Sequence, residues 1–272
     1  MRVNPLFYPS FLATFISLAL NSHSYASMVR DDIPYQYFRN FAENKGRFFP
    51  NAQNIPILDK NGRQVGTMMA NISMPDFSAV NRQSGIATLL APQYVTSVKH
   101  NKGYNEIEFG YEGSNPDAHY FPYHIVDRNE HTKYDFHVPR LHKLVTETAP
   151  FPLTSISENA DGSINASAYQ NPARFSQFVR IGSGTQWTRN SQKNQTLLAS
   201  AYQYLTGGGA LKISSSNEHF LLFRSSVFDT TYGTPGDSGS PLFAFDKKRN
   251  QWVLMGTQNV YSGENGELNG YA

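Results

Sequence analysis

The chain is expected to fold as an all-β barrel protein with short peripheral helices. Three observations predict this. Its apolar runs are short and separated by turn signals rather than by helical patterns. Its composition is rich in β-formers, with 19 Phe and 16 Tyr. No internal repeat, heptad pattern, long amphipathic helix or alternation of strand with helix is present.

The length of 272 residues suits one double-barrel domain. Charged residues make up 16% and the net charge is +2. That is too weak a field to steer nucleic acid or an acidic membrane surface, and no basic run carries interleaved aromatics. Cysteine is absent. Thiol-based zinc and redox motifs are therefore excluded, and stability would rest on the core rather than on disulfides.

Residues 1–26 read as a secretory signal. Arg2 gives the positive start, Phe11 to Leu20 the short apolar core, and Ser24-Tyr25-Ala26 the small residues that a signal peptidase requires. The run is too short for an ordinary membrane span, and no other span is evident, so the mature part is expected to be exported.

Next, residues 33–49 hold Tyr35, Tyr37, Phe38, Phe41, Phe48 and Phe49 among charges, and predict a short helix packed on a barrel. Asn54 to Leu58 and Arg63 to Thr67 predict a hairpin turned at Asn61-Gly62. Met68, Met69 and Met74 read as core filler. Gly85 to Leu90 is a buried strand broken by Ala91-Pro92, and Tyr94 to His100 is the next. Ile107 and Phe109 alternate with Glu106 and Glu108, as in a half-buried strand. A polar loop from Tyr111 to Pro122 precedes a strand at Tyr123 to Val126, and a further segment starts at Asp135.

Ser155 to Pro172, rich in Ser, Asn, Ala and Gly, is the expected crossing between barrels or a surface insertion. Strands resume at Phe175 to Ile181 and Leu197 to Leu205, with Gly207-Gly208-Gly209 as a tight turn or hinge. Phe220 to Phe223 is a buried strand, and Leu242 to Phe245 with Trp252 to Met255 form a last hairpin.

Chemistry concentrates in Gly233-Thr234-Pro235-Gly236-Asp237-Ser238-Gly239-Ser240-Pro241-Leu242-Phe243. A serine between glycines, just before an apolar strand, is where a nucleophilic serine sits. Gly236 and Gly239 allow a sharp bend and a close approach of backbone to substrate. The N–H groups of Gly236 and Ser238 are the candidate oxyanion donors. Position 240 is Ser, so the nucleophile elbow G-x-S-x-G of α/β-hydrolases fits poorly.

A serine nucleophile needs a base and a group to hold that base. His100 follows an apolar strand and precedes a Gly-containing turn, a context that fixes a ring at a cleft. Asp127 and Asp135 both lie in range. Asp135 is favoured, because Phe136, Val138 and Leu141 place it on a buried strand, whereas Asp127 beside Arg128 reads as a surface ion pair. The chain order His100, Asp135, Ser238 is that of the chymotrypsin-like fold, not of subtilisin-like enzymes or α/β-hydrolases. His119, His124, His131, His137 and His142 crowd this region, but they lack the helical metalloprotease spacing and read as solvated loop histidines. No metal or cofactor is expected.

Several stretches together resemble the immunoglobulin A protease-type serine proteases, including the serine protease autotransporters of enterobacteria. They are YQYFRNFAENK (Tyr35 to Lys45), MPDFSAV (Met74 to Val80), APQYVTSVKHN (Ala91 to Asn101), IVDRN (Ile125 to Asn129), DFHVPRLHKLVTET (Asp135 to Thr148), IGSGTQ (Ile181 to Gln186) and GDSGSPLFAFD (Gly236 to Asp246). The family's histidine falls on His100, its aspartate on Asp135 and its nucleophile on Ser238. The resemblance implies a chymotrypsin-like serine protease domain over residues 27–272, with a first barrel at about 50–150 and a second at about 173–272.

It also implies a secreted endopeptidase that cleaves host or extracellular proteins or glycoproteins, on a route through the periplasm to the cell surface or beyond. Family members continue into a β-helical stalk and an outer-membrane barrel, which would be covalent partners. Only 34 residues follow Ser238, so the second barrel is expected to be incomplete. Trypsin-like enzymes carry an acid six residues before the nucleophile. Here that place is Tyr232, with Gly256 and Thr257 as the expected pocket wall, so no preference for Arg or Lys is expected. The alternative from another class is a catalytically inactive, protease-like adhesin or binding module.

Overall fold

The computed structural model describes residues 28–110, 121–154, 165–209, 211–216, 221–225, 233, 235–262 and 268–271. The expected signal at 1–26, the loop at 111–120, residues 155–164 of the expected crossing, His119 and Tyr232 lie outside the described residues.

The first part of the chain contains β1 (Met28–Arg30), α1 (Tyr35–Ala42), β2 (Ile55–Leu58), β3 (Gln64–Met68), β4 (Thr88–Ala91), β5 (Tyr94–Thr96), β6 (Glu106–Ile107), β7 (Tyr123–Asp127) and β8 (Arg140–Leu141). The second part contains α2 (Ala166–Gln170), β9 (Phe175–Gly182), β10 (Gln186–Arg189), β11 (Gln195–Ala199), β12 (Thr206–Gly208), β13 (Leu211–Ser216), β14 (Leu221–Ser225), β15 (Pro241–Asp246), β16 (Gln251–Ser262) and β17 (Leu268–Tyr271). The molecule is thus mostly β with few helices.

Among the described residues two larger sheets divide the chain by sequence. One has the strand order β4-β5-β8-β7-β6, the other β12-β9-β15-β16-β17-β14-β13. The hairpin β2–β3 and the small sheet β1-β10-β11 flank them. β15 is buried along its whole length, as a central strand covered on both faces must be, and it pairs antiparallel with both β9 and β16. Its Phe243 joins the two halves of the core. The ring lies 4.3 Å from Phe151 and 5.4 Å from Phe77, both of which come from the chain before β9.

α1 begins after Pro34, whose ring cannot continue a helix toward the N-terminus, and buries Phe38, Phe41 and Ala42 on one face. Phe48 closes the cluster, edge-on to Tyr37 at 4.7 Å. The β2–β3 turn is wider than a two-residue loop. Asp59 N–H donates to Arg63 O, Asp59 Oδ1 accepts from Asn61 and Arg63 N–H, and Gly62 takes the left-handed conformation.

Three expected elements are corrected. The strand expected from Gly85 starts at Thr88, because Gly85 turns the chain and donates to Asn81 O at 2.7 Å. The strand expected over 197–205 is β11, at Gln195–Ala199, followed by a turn. Gly207-Gly208-Gly209 is not a hinge: Gly207 and Gly208 lie in the buried strand β12 against β9. A Cβ on Gly207 would sit 2.4 Å from Arg180 O, so the glycine serves close strand approach rather than freedom of rotation.

Candidate active site

His100, Asp135 and Ser238 come from three separate segments and are brought together by hydrogen bonds. Beyond β5, Ser97 exchanges backbone hydrogen bonds with His137, and Val98 is fully buried. These contacts anchor the chain just before His100, but the strand expected from Tyr94 to His100 ends at Thr96 and His100 lies in the turn that follows. The His100 ring is in hydrogen-bond contact on both nitrogens. Nδ1 is 2.5 Å from Asp135 Oδ2, and Nε2 is 2.7 Å from Ser238 Oγ.

Asp135 corrects one expectation. It sits on a bend, not in a buried strand, and its side chain is 34% exposed. Hydrogen bonds rather than burial hold it. Its Oδ1 accepts from His100 N–H at 3.0 Å, and its backbone carbonyl accepts from Asn259 Nδ2 at 2.8 Å. Partial burial works against its charge, but the bonds from the His100 ring and backbone outweigh this and lower its pKa below the ordinary carboxylate value. Asp127 lies elsewhere, ion-paired with Arg140 at 2.8 Å.

Ser238 is carried by a turn with little room to move. Gly236 and Gly239 both have positive φ, +97° and +89°. Gly239 N–H donates to Gln258 O and Ser240 N–H to Asp237 O, each at 2.8 Å. Among the described residues the N–H groups of Gly236 and Ser238 meet no acceptor, and both residues are half-buried. Asn101 Nδ2 donates to Ser238 O at 2.9 Å, which ties the backbone of Ser238 to the residue after His100.

A cleft of about 460 Å³ opens here, lined by His100, Asn101, Tyr202, Pro235, Gly236, Ser238 and Asn259. Gly256 and Thr257 do not line it. They pair with Leu242 and Pro241 inside the sheet, and Thr257 is buried. Asn101, Tyr202 and Asn259 were not singled out from sequence. Asn101 adjoins His100 and could have been found so, whereas Tyr202 and Asn259 come from a loop and a strand with no motif of their own.

The histidine cluster also needs a correction. His124, His131 and His142 are exposed, but His137 is fully buried and hydrogen-bonded through Nε2 to the Tyr104 hydroxyl at 3.1 Å. Burial, with the charge of Arg128, pushes its pKa down to about 4. Among the described residues no group of three or more His, Cys, Asp or Glu could hold a metal ion.

The described residues thus form a mostly β domain that lines up an imidazole between a carboxylate and a glycine-flanked serine. Residues 26–272 match the family described as immunoglobulin A1 protease, and the chain belongs to that family. It is 40% identical to an adhesion and penetration protein autotransporter of Haemophilus influenzae, over 98% of this chain and 20% of that protein. It is 35% identical to an IgA-specific serine endopeptidase autotransporter of Neisseria gonorrhoeae, over 93% of this chain and 19% of that protein. The crystal structure of the Haemophilus influenzae Hap adhesin superposes with a TM-score of 0.77 at 38% identity, covering 90% of this chain and 27% of that one. The chain spans about a fifth of the length of the curated relatives it matches.

Proposed function

We propose that this chain is the serine endopeptidase domain of an exported autotransporter, with His100, Asp135 and Ser238 as its catalytic triad. The observation that carries the reading is the unbroken line from Asp135 through His100 to Ser238, the last two of which line an open cleft. In this reading the two larger sheets are the walls of a chymotrypsin-like double barrel. The first presents base and acid, and the second presents the nucleophile.

Ser238 Oγ attacks the carbonyl carbon of a peptide bond while its proton passes to His100 Nε2. Asp135 accepts from Nδ1–H, which fixes the tautomer and stabilises the imidazolium that forms. The carbonyl oxygen gains negative charge toward the N–H groups of Gly236 and Ser238. Collapse of the tetrahedral adduct breaks the C–N bond, and the departing amine takes the proton from His100. Water, deprotonated by the same ring, then releases the acyl group from Ser238.

Substrates are host or extracellular proteins or glycoproteins, reached after passage through the periplasm. The β-helical stalk and outer-membrane barrel are its covalent partners in the full-length protein. Among the described residues no helix is long and apolar enough to cross a membrane.

A second reading has its own support, because a matched relative is named for adhesion and penetration and a matched structure for an adhesin. In that reading the domain binds without cutting. A fluorophosphonate probe decides between them. Labelling of Ser238 that is lost in His100→Ala is the result expected of a peptidase. A chain that stays unlabelled while properly folded belongs to the adhesin reading.

A further inference from the structure

We infer that Arg180 is a positioning residue for the chemistry at Ser238: through Asp237 it holds the turn that presents the nucleophile and the two proposed oxyanion donors. The inference rests on the peptidase reading and deepens it.

Arg180 lies on β9 between Val179 and Ile181, and its side chain is fully buried. A guanidinium there costs much desolvation unless a carboxylate meets it. Asp237 does so, with Nη2 to Oδ2 at 2.8 Å and both side chains at 0% exposure. The second oxygen of Asp237 accepts from Gly184 N–H at 2.8 Å. Burial works against the charge on Arg180, but the Asp237 carboxylate and the Tyr271 hydroxyl outweigh it and raise its pKa.

The run Gly182-Ser183-Gly184 is shaped around this carboxylate. A Cβ on Gly182 would lie 2.2 Å from Asp237 Oδ1, and one on Gly184 would lie 2.9 Å from its carboxyl carbon. Asp237 is the residue between Gly236 and Ser238. Its side chain points into the protein while its two neighbours face the cleft, so fixing the carboxylate fixes the flanking N–H groups. Such donors act by being held in place before charge develops. The Arg180 charge at 2.8 Å and the Gly184 N–H bond on the other oxygen fix where the carboxylate sits, which an apolar contact does not.

The test uses Arg180→Met combined with Asp237→Leu, an apolar exchange of both partners that a buried pair tolerates better than the loss of one. Gly184→Ala is the second variant, because it crowds the carboxylate and leaves both charges in place. Arg180→Lys is the conservative control. The double variant is expected to stay folded with a melting temperature lowered by up to about 10 °C, because Gly184 N–H loses its acceptor. Its kcat should fall on the order of 10²-fold, as when one oxyanion donor is lost. Its KM should change by less than about three-fold. Amide exchange of Gly239 and Ser240, whose N–H groups are bonded in this turn, should accelerate while that of β15 does not, and Arg180→Lys should recover part of both.

If the double variant does not fold, the same kinetic and exchange pattern is expected of Gly184→Ala. Parental kcat with parental exchange at Gly239 and Ser240 in a folded variant overturns the inference. So does acceleration spread evenly over the whole chain. Exchange is read independently of activity. A parental chain that resists the fluorophosphonate, with exchange at Gly239 and Ser240 still responding to the variants, overturns the peptidase reading and the catalytic part of this inference while leaving the hold of Arg180 on the turn established.

Discussion

Asp135 holds His100 at two points, with Oδ2 on ring Nδ1 at 2.5 Å and Oδ1 on the backbone N–H at 3.0 Å. One carboxylate thus sets both where the residue sits and how its ring is turned. Asp135→Asn is expected to lower kcat by roughly 10⁴-fold, because an amide stabilises neither the required tautomer nor the imidazolium. Steady-state kinetics on a peptide substrate near neutral pH checks this, with Asp127→Asn as a control that changes little. A loss below about ten-fold in Asp135→Asn would mean that another group orients the ring.

Ser238→Ala should reduce turnover to the residual roughly 10³–10⁴-fold over water that binding and the oxyanion donors supply. Progress curves on a protein substrate, with mass spectrometry for an acyl-enzyme, measure this. Activity that survives the substitution removes the proposed mechanism.

Asn101 donates to the backbone carbonyl of Ser238 at 2.9 Å and links that residue to the histidine turn. Asn101→Ala removes one hydrogen bond of net worth about 1 kcal/mol, so kcat should fall by about five-fold. The KM for small esters, which bind mainly through the acyl side, should hold steady. A variant indistinguishable from the parent would show that this bond has no part in alignment.

His137 predicts the acid limit of stability. It is buried beside Tyr104, with Arg128, Lys102, Glu130 and Asp135 as the charged groups that act on it, and its pKa lies at about 4. The unfolded chain takes up the proton near pH ~6.5, before the folded chain does. Stability is therefore full above that point and falls as the pH drops toward 4, by no more than about 3 kcal/mol from this group. The contribution of Asp135, whose pKa is lowered, is lost only at more acid pH. Urea unfolding of the parent and His137→Gln at several pH values between 4 and 7 should show a shallower slope in the variant. Equal slopes would assign the acid sensitivity elsewhere.

Gly239→Ala should be among the costliest single changes. A Cβ there would meet Ser97 Oγ at 2.1 Å and Ile86 O at 2.4 Å, at φ +89°. Overpacking and left-handed strain together cost at least about 3 kcal/mol, which lowers the melting temperature by about 6 °C or more. Thermal denaturation followed by circular dichroism measures the shift, and a change under about 2 °C would contradict the packing described.

Much of the secondary structure was legible from short-range pattern. β7, β9 and the β15–β16 hairpin follow apolar runs bounded by turn residues, and α1 follows aromatics spaced for one helical face. The failures are where a residue's role is decided by a distant neighbour. Gly207 reads as a hinge until β9 is seen beside it, and His137 reads as solvated until Tyr104 covers it.

By itself the sequence determined the chemistry on offer: a glycine-flanked serine, a histidine at the end of an apolar run, an aspartate in the right chain order, and the all-β character of what carries them. Only the tertiary structure decided how these groups are held. The bond between His100 and Ser238 joins residues 138 positions apart, and that from Asn259 to Asp135 joins residues 124 apart. Residue type and local spacing act over a few residues of backbone, whereas the position of an imidazole against a hydroxyl depends on how whole sheets pack. An arginine inside an apolar strand therefore has no evident purpose until folding sets a carboxylate against it.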